Sequence, residues 1–365
     1  MRTIQVVNVR WFNATAWYAM YLSRLLLEAG HDTLVLVLPD TLCAQAGARW
    51  NLPLRFLPLN TTTPWGLVRL YAQLKSLVRE FQPDVVNCHR GESFVLWGLL
   101  QRELGSFRLV RTRGDQRLPK ANVINRWLHN TVSNAVITTN SRMTRHFSSA
   151  FGTPDQNVHE ILGGVDTSVF FPDQAARQRV REELGYGPAD FVVGLLGRFD
   201  RVKGQHELIQ AVARLRAQGH TEVRLLLIGF DSATPESTVR GWVHEYGLEH
   251  VTRITGKRPD IAACLAALDL GVVASLWSET IARAALEIMA CGVPLVATRV
   301  GVLPDLLDEQ ALVDPGDVPG LAQSIAAVLA SEELRNSLRQ SQAQRMAGLT
   351  GQDFLAQTLT VYEGP

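Results

Sequence analysis

Short runs of Val, Ile and Leu alternate with longer stretches of helical spacing along most of the chain: IQVVNV precedes ATAWYAMYLSRLLLEAGH, which precedes TLVLVL. The rhythm continues in PDVVNCH, FRLVRT and NAVITT, each followed by a helical segment. Strands that are apolar throughout have both faces covered, and a helix between them returns the chain so that the next strand runs the same way. The pattern predicts βαβ units, an α/β fold with a parallel sheet between helices. It pauses near residue 165 in GGVDTSVFFPDQ, rich in Gly, Asp and Pro, then resumes with DFVVGLLGRF, EVRLLLIG, DLGVVAS and VPLVAT. A chain of 365 residues also exceeds what one core usually organises. Two doubly wound Rossmann-like domains are expected, over 1–165 and 166–349. Open parallel sheets bind ligands beyond the carboxyl ends of their strands, so the informative residues should follow strand ends and face a central cleft.

The apolar fraction of 46% and charged fraction of 19% are those of an ordinary folded protein. The net charge of +1 hides an asymmetry, because residues 1–165 carry 18 Lys/Arg against 10 Asp/Glu and the remainder is acidic. A basic half suits an anionic membrane surface or an acidic substrate, with an uneven solvated surface as the plainer reading. Lys/Arg runs and an aromatic RNA-binding signature are missing, which argues against nucleic acid. Cys43, Cys88, Cys264 and Cys291 lie scattered in apolar contexts without CxxC spacing, as reduced core thiols do. No apolar run approaches the roughly 18 residues of a membrane span, and MRTIQVVNVRWF lacks the apolar centre of a signal peptide. The expected location is the cytoplasm, with peripheral contact at the inner face of a membrane through the basic half.

Four strand ends carry chemistry. In GLLGRFDRVKGQHELIQAV, a buried strand ends at Gly197, Arg198 follows, and Lys203 and Gly204 open a helix with apolar spacing at Leu208, Ile209, Val212 and Leu215. Two cations converging beside a helix N-terminus fit a diphosphate, and two surface cations are the alternative. In RLLLIGFDSATPES, Gly229 ends a strand where a missing side chain lets a ligand approach the backbone. In VTRITGKRPDIAACLAALDLGVVAS, a short strand ends at Gly256, Lys257 and Arg258 follow, and a helix is expected from Pro259. That loop suits a nucleobase and its phosphates, or a solvated turn.

The fourth stretch, SETIARAALEIMACGVP, sets Glu279 and Glu287 eight positions apart among apolar residues. Carboxylates in such a segment need partners. With the helix beginning near Glu279 or Thr280, eight residues would span roughly 12 Å, the reach of a nucleotide sugar from hexose to ribose. The free N–H groups between would face the diphosphate. The competing reading makes Glu279 a helix-start acid and Glu287 the structural partner of an arginine.

The combination of GRFDRVKG, SETIARAALEIMACGVPLVATRVGVLPDLL and HEILGGVDTSVFFP resembles the retaining GT-B glycosyltransferases of family 4, closely over 158–315 and more loosely over the first 150 residues. The resemblance implies a GT-B fold and a hexosyltransferase that uses no metal and no cofactor, its substrate a nucleotide diphosphate sugar, taken here as a UDP-sugar. It implies that Arg198 and Lys203 hold the diphosphate and stabilise the leaving nucleotide, that Glu287 binds the ribose and Glu279 the donor sugar, and that the backbone of Thr280, Ile281 and Ala282 contacts sugar and phosphates. His89 falls where the family often has a histidine near donor sugar and acceptor. Two departures stand out: no glycine occurs between Met1 and Glu28, where the family has a glycine-rich loop, and TIA replaces the bulkier residues after the first glutamate. Asn13, Ala14 and Thr15 take the place of that loop, with Asn13 expected to cap the following helix. Family members often return their last helix to the first domain, and the segment 350–365, with Phe354, Leu355, Leu359 and Tyr362 at helical spacing, suits this; packing within the second domain is the alternative.

The acceptor is expected on the basic half. HRGES supplies His89 and Arg90, and RTRGDQR supplies Arg111, Arg113 and Arg117 at alternate positions, which in an extended segment share one face. They suit an anionic glycan or glycolipid, with salt bridges to the acidic half as the alternative. The expected function is retaining transfer of a sugar from a nucleotide diphosphate sugar to a glycan or lipid-linked glycan, as in cell-envelope polysaccharide or lipopolysaccharide synthesis. A sugar-nucleotide epimerase and a non-catalytic nucleotide-sugar binder are the competing readings.

Overall fold

The computed structural model describes residues 1–364. They divide into two compact units, Met1–Gly163 together with the stretch from Gly351, and Gly164–Thr350. Unit 1 holds a seven-stranded parallel sheet of β1 (Arg2–Val7), β2 (Asp32–Val37), β3 (Leu54–Phe56), β4 (Val85–Cys88), β5 (Arg108–Arg113), β6 (Ala135–Thr138) and β7 (Val158–Glu160). Their order is β3-β2-β1-β4-β5-β6-β7, so the direction of winding reverses between β1 and β4. Val6 lies opposite Leu36 on one side and Cys88 on the other, so these three strands end nearly level. One face of the sheet packs Ile4, Val6, Leu36, Val86 and Leu109 against Trp97 and Leu74. The other packs Val7, Val35 and Val37 against Ala16 and Met20. Each such side chain contributes about 1.5–3 kcal/mol when fully buried.

The helix Ala14–Glu28 starts where Asn13 accepts a hydrogen bond from the Ala16 amide. It is buried nearly all round because the C-terminal helix Gly351–Glu363 covers its outer side, with Phe354 4.5 Å from Tyr18 between ring centroids.

Unit 2 holds a six-stranded parallel sheet of β8 (Phe191–Leu196), β9 (Val223–Ile228), β10 (Thr252–Ile254), β11 (Leu270–Val273), β12 (Leu295–Thr298) and β13 (Leu312–Val313). The order β10-β9-β8-β11-β12-β13 reverses between β8 and β11. Asp269, just before β11, ties the helix Gln174–Leu184 to the sheet by accepting from Arg177, Arg181 at 2.9 Å and the Val192 amide at 2.8 Å.

Two boundaries differ from the sequence expectation. The strand β10 ends at Ile254 rather than Gly256, and the next helix runs Ile261–Ala266, after Asp260, rather than from Pro259. More consequentially, the helix expected from Glu279 or Thr280 begins only at Arg283 and runs to Ala290.

Candidate active site

In unit 2 the ends of β8 and β11 flank the reversal of strand order, where open α/β sheets bind ligands. Beyond β8, Asp200 caps a short turn, Arg201–Lys203, by accepting from the Val202 amide at 3.2 Å. The same carboxylate pairs with Arg198 at 2.7 Å, and the guanidinium also donates to Ser232 at 3.1 Å. Arg198 is thus held from behind while about half its side chain stays exposed, a geometry that leaves donors for an anion. Gly204 has φ +72°, and a Cβ there would lie 1.9 Å from the Ala274 carbonyl oxygen. Only glycine lets the turn sit against the end of β11, and this closeness carries Lys203 to Glu279.

Glu279 is 5% exposed and its Oε1 accepts from both Lys203 Nζ and Ser275 Oγ, the latter at 2.5 Å. Its backbone is fixed too: the carbonyl accepts from the Val302 amide at 2.8 Å, and Gly301, φ +61°, approaches so closely that a Cβ would stand 1.7 Å from that oxygen. These contacts hold 279–282 as a loop, which ends in Ala282 at φ +48°. The expected eight-residue helical span is therefore corrected: of the stretch between the two glutamates only Arg283 to Glu287 is helical, four steps with a rise of about 6 Å. Thr280, Ile281 and Ala282 lie in the loop, Ile281 and Ala282 buried, so the amides of the helix's first turn are those of Arg283, Ala284 and Ala285.

Glu287 is 2% exposed and accepts from Arg283 Nε at 2.5 Å. Burial pushes its carboxyl above the ordinary range, and the Arg283 charge offsets part of that. The arginine pairing raised as an alternative from sequence is present, with Arg283 as the partner.

The remaining donor-side candidates divide. The space beside Gly229 is filled by the Gly197 carbonyl, 2.1 Å from where a Cβ would stand, so that glycine permits strand-end packing rather than ligand approach. Lys257 is exposed, with Nζ 4.8 Å from the centroid of the Phe230 ring. Arg258 bonds Asp260 through Nε at 2.8 Å and Nη2 at 2.9 Å, and Glu183 through both terminal nitrogens, so its guanidinium joins elements within unit 2. Asn13 spends its side-chain oxygen on the helix cap.

In unit 1, His89 follows β4 beside the end of β1, its amide donating to the Val6 carbonyl at 3.0 Å. It is fully buried; burial and the Arg111 charge push its pKa down to about 3, so it is neutral across the physiological range. Nε2 lies 2.9 Å from Gln5 Oε1, and Nδ1 has no hydrogen-bond partner among the described residues. Of the three arginines only Arg111 and Arg113, alternate residues of β5, come together. Arg111 is fully buried, donating from Nη1 to the Cys88 carbonyl at 2.6 Å, and burial with the Arg113 charge pushes its pKa down to about 9. Because β5 ends at Arg113, Arg117 lies on a turn, exposed, its carbonyl accepting from Arg113 at 3.3 Å. The structure groups Arg111 and Arg113 around Asp115, at 3.6 and 3.5 Å, with Arg90 held by Glu92 at 2.5 Å. Sequence reasoning missed Ser275, Asp200 and Ser232 in unit 2 and Gln5, Asn87 and Tyr362 in unit 1; Ser275 and Asp200 serve close neighbours, Glu279 and Arg198, while the other four act through partners distant in the chain.

Residues 176–345 match the family model described as glycosyl transferases group 1, and residues 15–169 the model described as glycosyltransferase family 4. The chain is 32% identical to the GDP-mannose-dependent alpha-(1-6)-phosphatidylinositol monomannoside mannosyltransferase of Mycolicibacterium smegmatis, over 71% of this chain and 70% of that one. It is 30% identical to the D-inositol 3-phosphate glycosyltransferase of Pseudarthrobacter chlorophenolicus, over 71% and 64% of the two chains. Among solved structures, Anabaena HepE in complex with UDP superposes with a TM-score of 0.85 at 21% identity, covering 98% of each chain. A glycosyltransferase from Rickettsia africae does so with a TM-score of 0.88 at 16% identity, covering 99% of this chain and 98% of that one. The fold is GT-B, and the chain belongs to the group 1 glycosyltransferases of family 4.

Proposed function

We propose that the protein transfers a sugar from a nucleotide diphosphate donor, with retention of anomeric configuration, to a glycan or lipid-linked glycan. The observation that carries this reading is the meeting of Lys203 and Glu279 at the reversal of strand order in unit 2, with Arg198 held half-exposed nearby in the sequence. In the donor complex Lys203 and Arg198 take the diphosphate, Glu279 exchanges its lysine for sugar hydroxyls, and Glu287 takes the ribose. The bond from the anomeric carbon to phosphate breaks as the bond to the acceptor oxygen forms on the same face, and the acceptor's proton passes to the departing phosphate. The cations stabilise that developing charge without a metal. His89, neutral and unpartnered at Nδ1, positions a substrate hydroxyl rather than moving a proton.

UDP is the proposed nucleotide, in keeping with Anabaena HepE, whose structures hold UDP and UDP-glucose; the name of the Mycolicibacterium relative makes GDP the main competitor. The acceptor is anionic, met by Arg90 and Arg113, with the reaction at the cytoplasmic face of a membrane. No described helix is long and apolar enough to cross one.

A thermal-shift series over UDP, GDP, ADP and their sugars tests the reading, since a ligand at 100 times its Kd stabilises by about 2.7 kcal/mol. Glu287→Ala should weaken free-nucleotide binding about 10-fold or more, the worth of hydrogen bonds to a charged group. Glu279→Ala should leave that affinity in place and lower turnover. Two variants that bind and turn over like the parent would sink the proposal.

A further inference from the structure

The C-terminal helix enters unit 1 with one polar atom in a decisive place. Tyr362 is buried, and its hydroxyl lies 3.1 Å from Gln5 Nε2 and accepts from Asn87 Nδ2 at 2.8 Å. Asn87 is oriented in turn by Thr112, whose hydroxyl donates to Oδ1 at 2.9 Å. Gln5 Nε2 has a second acceptor, the Thr3 hydroxyl at 3.4 Å, itself 3.0 Å from Thr33 Oγ1. The Tyr362 hydroxyl also lies 3.3 Å from Gln5 Oε1, and that oxygen is the atom that meets His89 Nε2 at 2.9 Å. A carbonyl oxygen only accepts. His89 must therefore carry its proton on Nε2.

We infer that Tyr362 and Gln5 are positioning residues that fix His89 in the Nε2–H tautomer, so that its buried, unpartnered Nδ1 lone pair is presented as a hydrogen-bond acceptor for a substrate hydroxyl. The functional half of this inference rests on the proposed transferase reading; the tautomer does not. The opposite tautomer would present an N–H and leave Nε2 competing with the Gln5 oxygen, acceptor against acceptor. A buried acceptor without a donor is costly, which accounts for keeping the relay in full register. The site is incomplete without the last residues of the chain, because the ring that orients Gln5 arrives on the helix Gly351–Glu363.

The test is the nitrogen spectrum of the full-length protein labelled in histidine, with His89 assigned by its disappearance in His89→Gln. Wild type should show a neutral Nε2–H imidazole before any substrate is added. Tyr362→Phe, which keeps the ring packing, should admit the second tautomer and lower kcat roughly 10-fold with donor KM little changed, in the range seen for residues that orient a functional histidine. Gln5→Met should do the same, while Gln5→Glu, which keeps an acceptor on Nε2, should restore the tautomer. A wild-type Nδ1–H form, or a Tyr362→Phe spectrum identical to wild type, overturns the inference. Unchanged turnover in His89→Ala with the Nε2–H tautomer present in wild type would instead remove the substrate role and leave the relay standing.

Discussion

Both sheets reverse their strand order once, and polar side chains gather near both reversals, but the two sets are built from different chemistry. In unit 2 each buried carboxylate is answered by a cation, Glu279 by Lys203 and Glu287 by Arg283. In unit 1 the groups hydrogen-bonded to His89, directly or through one another, are neutral, an amide, a second amide and a phenol in one chain, with the Arg111 charge nearby. The charged set is exchangeable: a ligand bringing phosphates and hydroxyls can take over both halves of an ion pair. The neutral set is fixed, because turning any one amide breaks bonds on both of its sides. Unit 2 is thus suited to holding a charged donor, and unit 1 to placing one atom.

The largest effect should come from breaking the charged set. Lys203→Ala leaves Glu279 almost fully buried with only the Ser275 hydroxyl, and removing one partner of a buried pair costs about 3–5 kcal/mol. Turnover should also fall about 100- to 1,000-fold, the scale for losing one group that stabilises developing charge. Denaturant midpoints and kcat separate the two losses. Adding Glu279→Gln to Lys203→Met should recover most of the stability and none of the turnover. A Lys203→Ala protein as stable as wild type would mean that the pair is solvated and the contrast between the two units false.

Acid should strike the buried histidines of unit 1 next. His89 and His129 are both pushed down to about 3, chiefly by burial. The unfolded chain binds these protons near pH 6.5 and the folded chain only near 3, so stability is lost as pH falls below 6.5. Each histidine should contribute a loss of about 2 kcal/mol between pH 6.5 and 5. Urea unfolding of wild type and His89→Gln at both pH values checks this. The variant should lose less on acidification, and equal losses would place a proton on His89 in the folded protein.

Strands that are long and central were legible because six residues dominated by Val, Ile and Leu have few other solutions; β1, β8 and β9 are examples. The edge strands β3, β7 and β13 were not, since two or three residues carry no period and are strands only because a neighbour offers hydrogen bonds. The glutamate pair was visible as two carboxylates in an apolar segment, but not the delay of the helix to Arg283. That delay comes from Gly301 and Val302 gripping the Glu279 carbonyl from more than 20 residues away. Alternation put Arg111, Arg113 and Arg117 on one face; the strand ends first, and Arg111 serves the core. Tyr362 could be read as a helical apolar position, while its hydroxyl's partners lie at the other end of the chain.

The smallest expected effect bears most directly on what the second glutamate is for. Glu287 has its carboxyl raised above the ordinary value near 4.5 by burial, with Arg283 offsetting only part. Between 4.5 and its folded value the native chain holds a proton that the unfolded chain has released, so this group's contribution to stability declines as pH rises through that window. At neutral pH the carboxylate is therefore a net cost to folding. Glu287→Gln should be slightly more stable than wild type at pH 7, with the gap closing as pH falls toward 4.5. The same variant should bind nucleotide more weakly, because an amide accepts from vicinal ribose hydroxyls less well than a carboxylate. Gain of stability with loss of affinity marks a residue kept for a ligand. A Gln variant less stable than wild type at pH 7 would mean that the bond to Arg283 outweighs the burial, and that the carboxylate is there for the arginine.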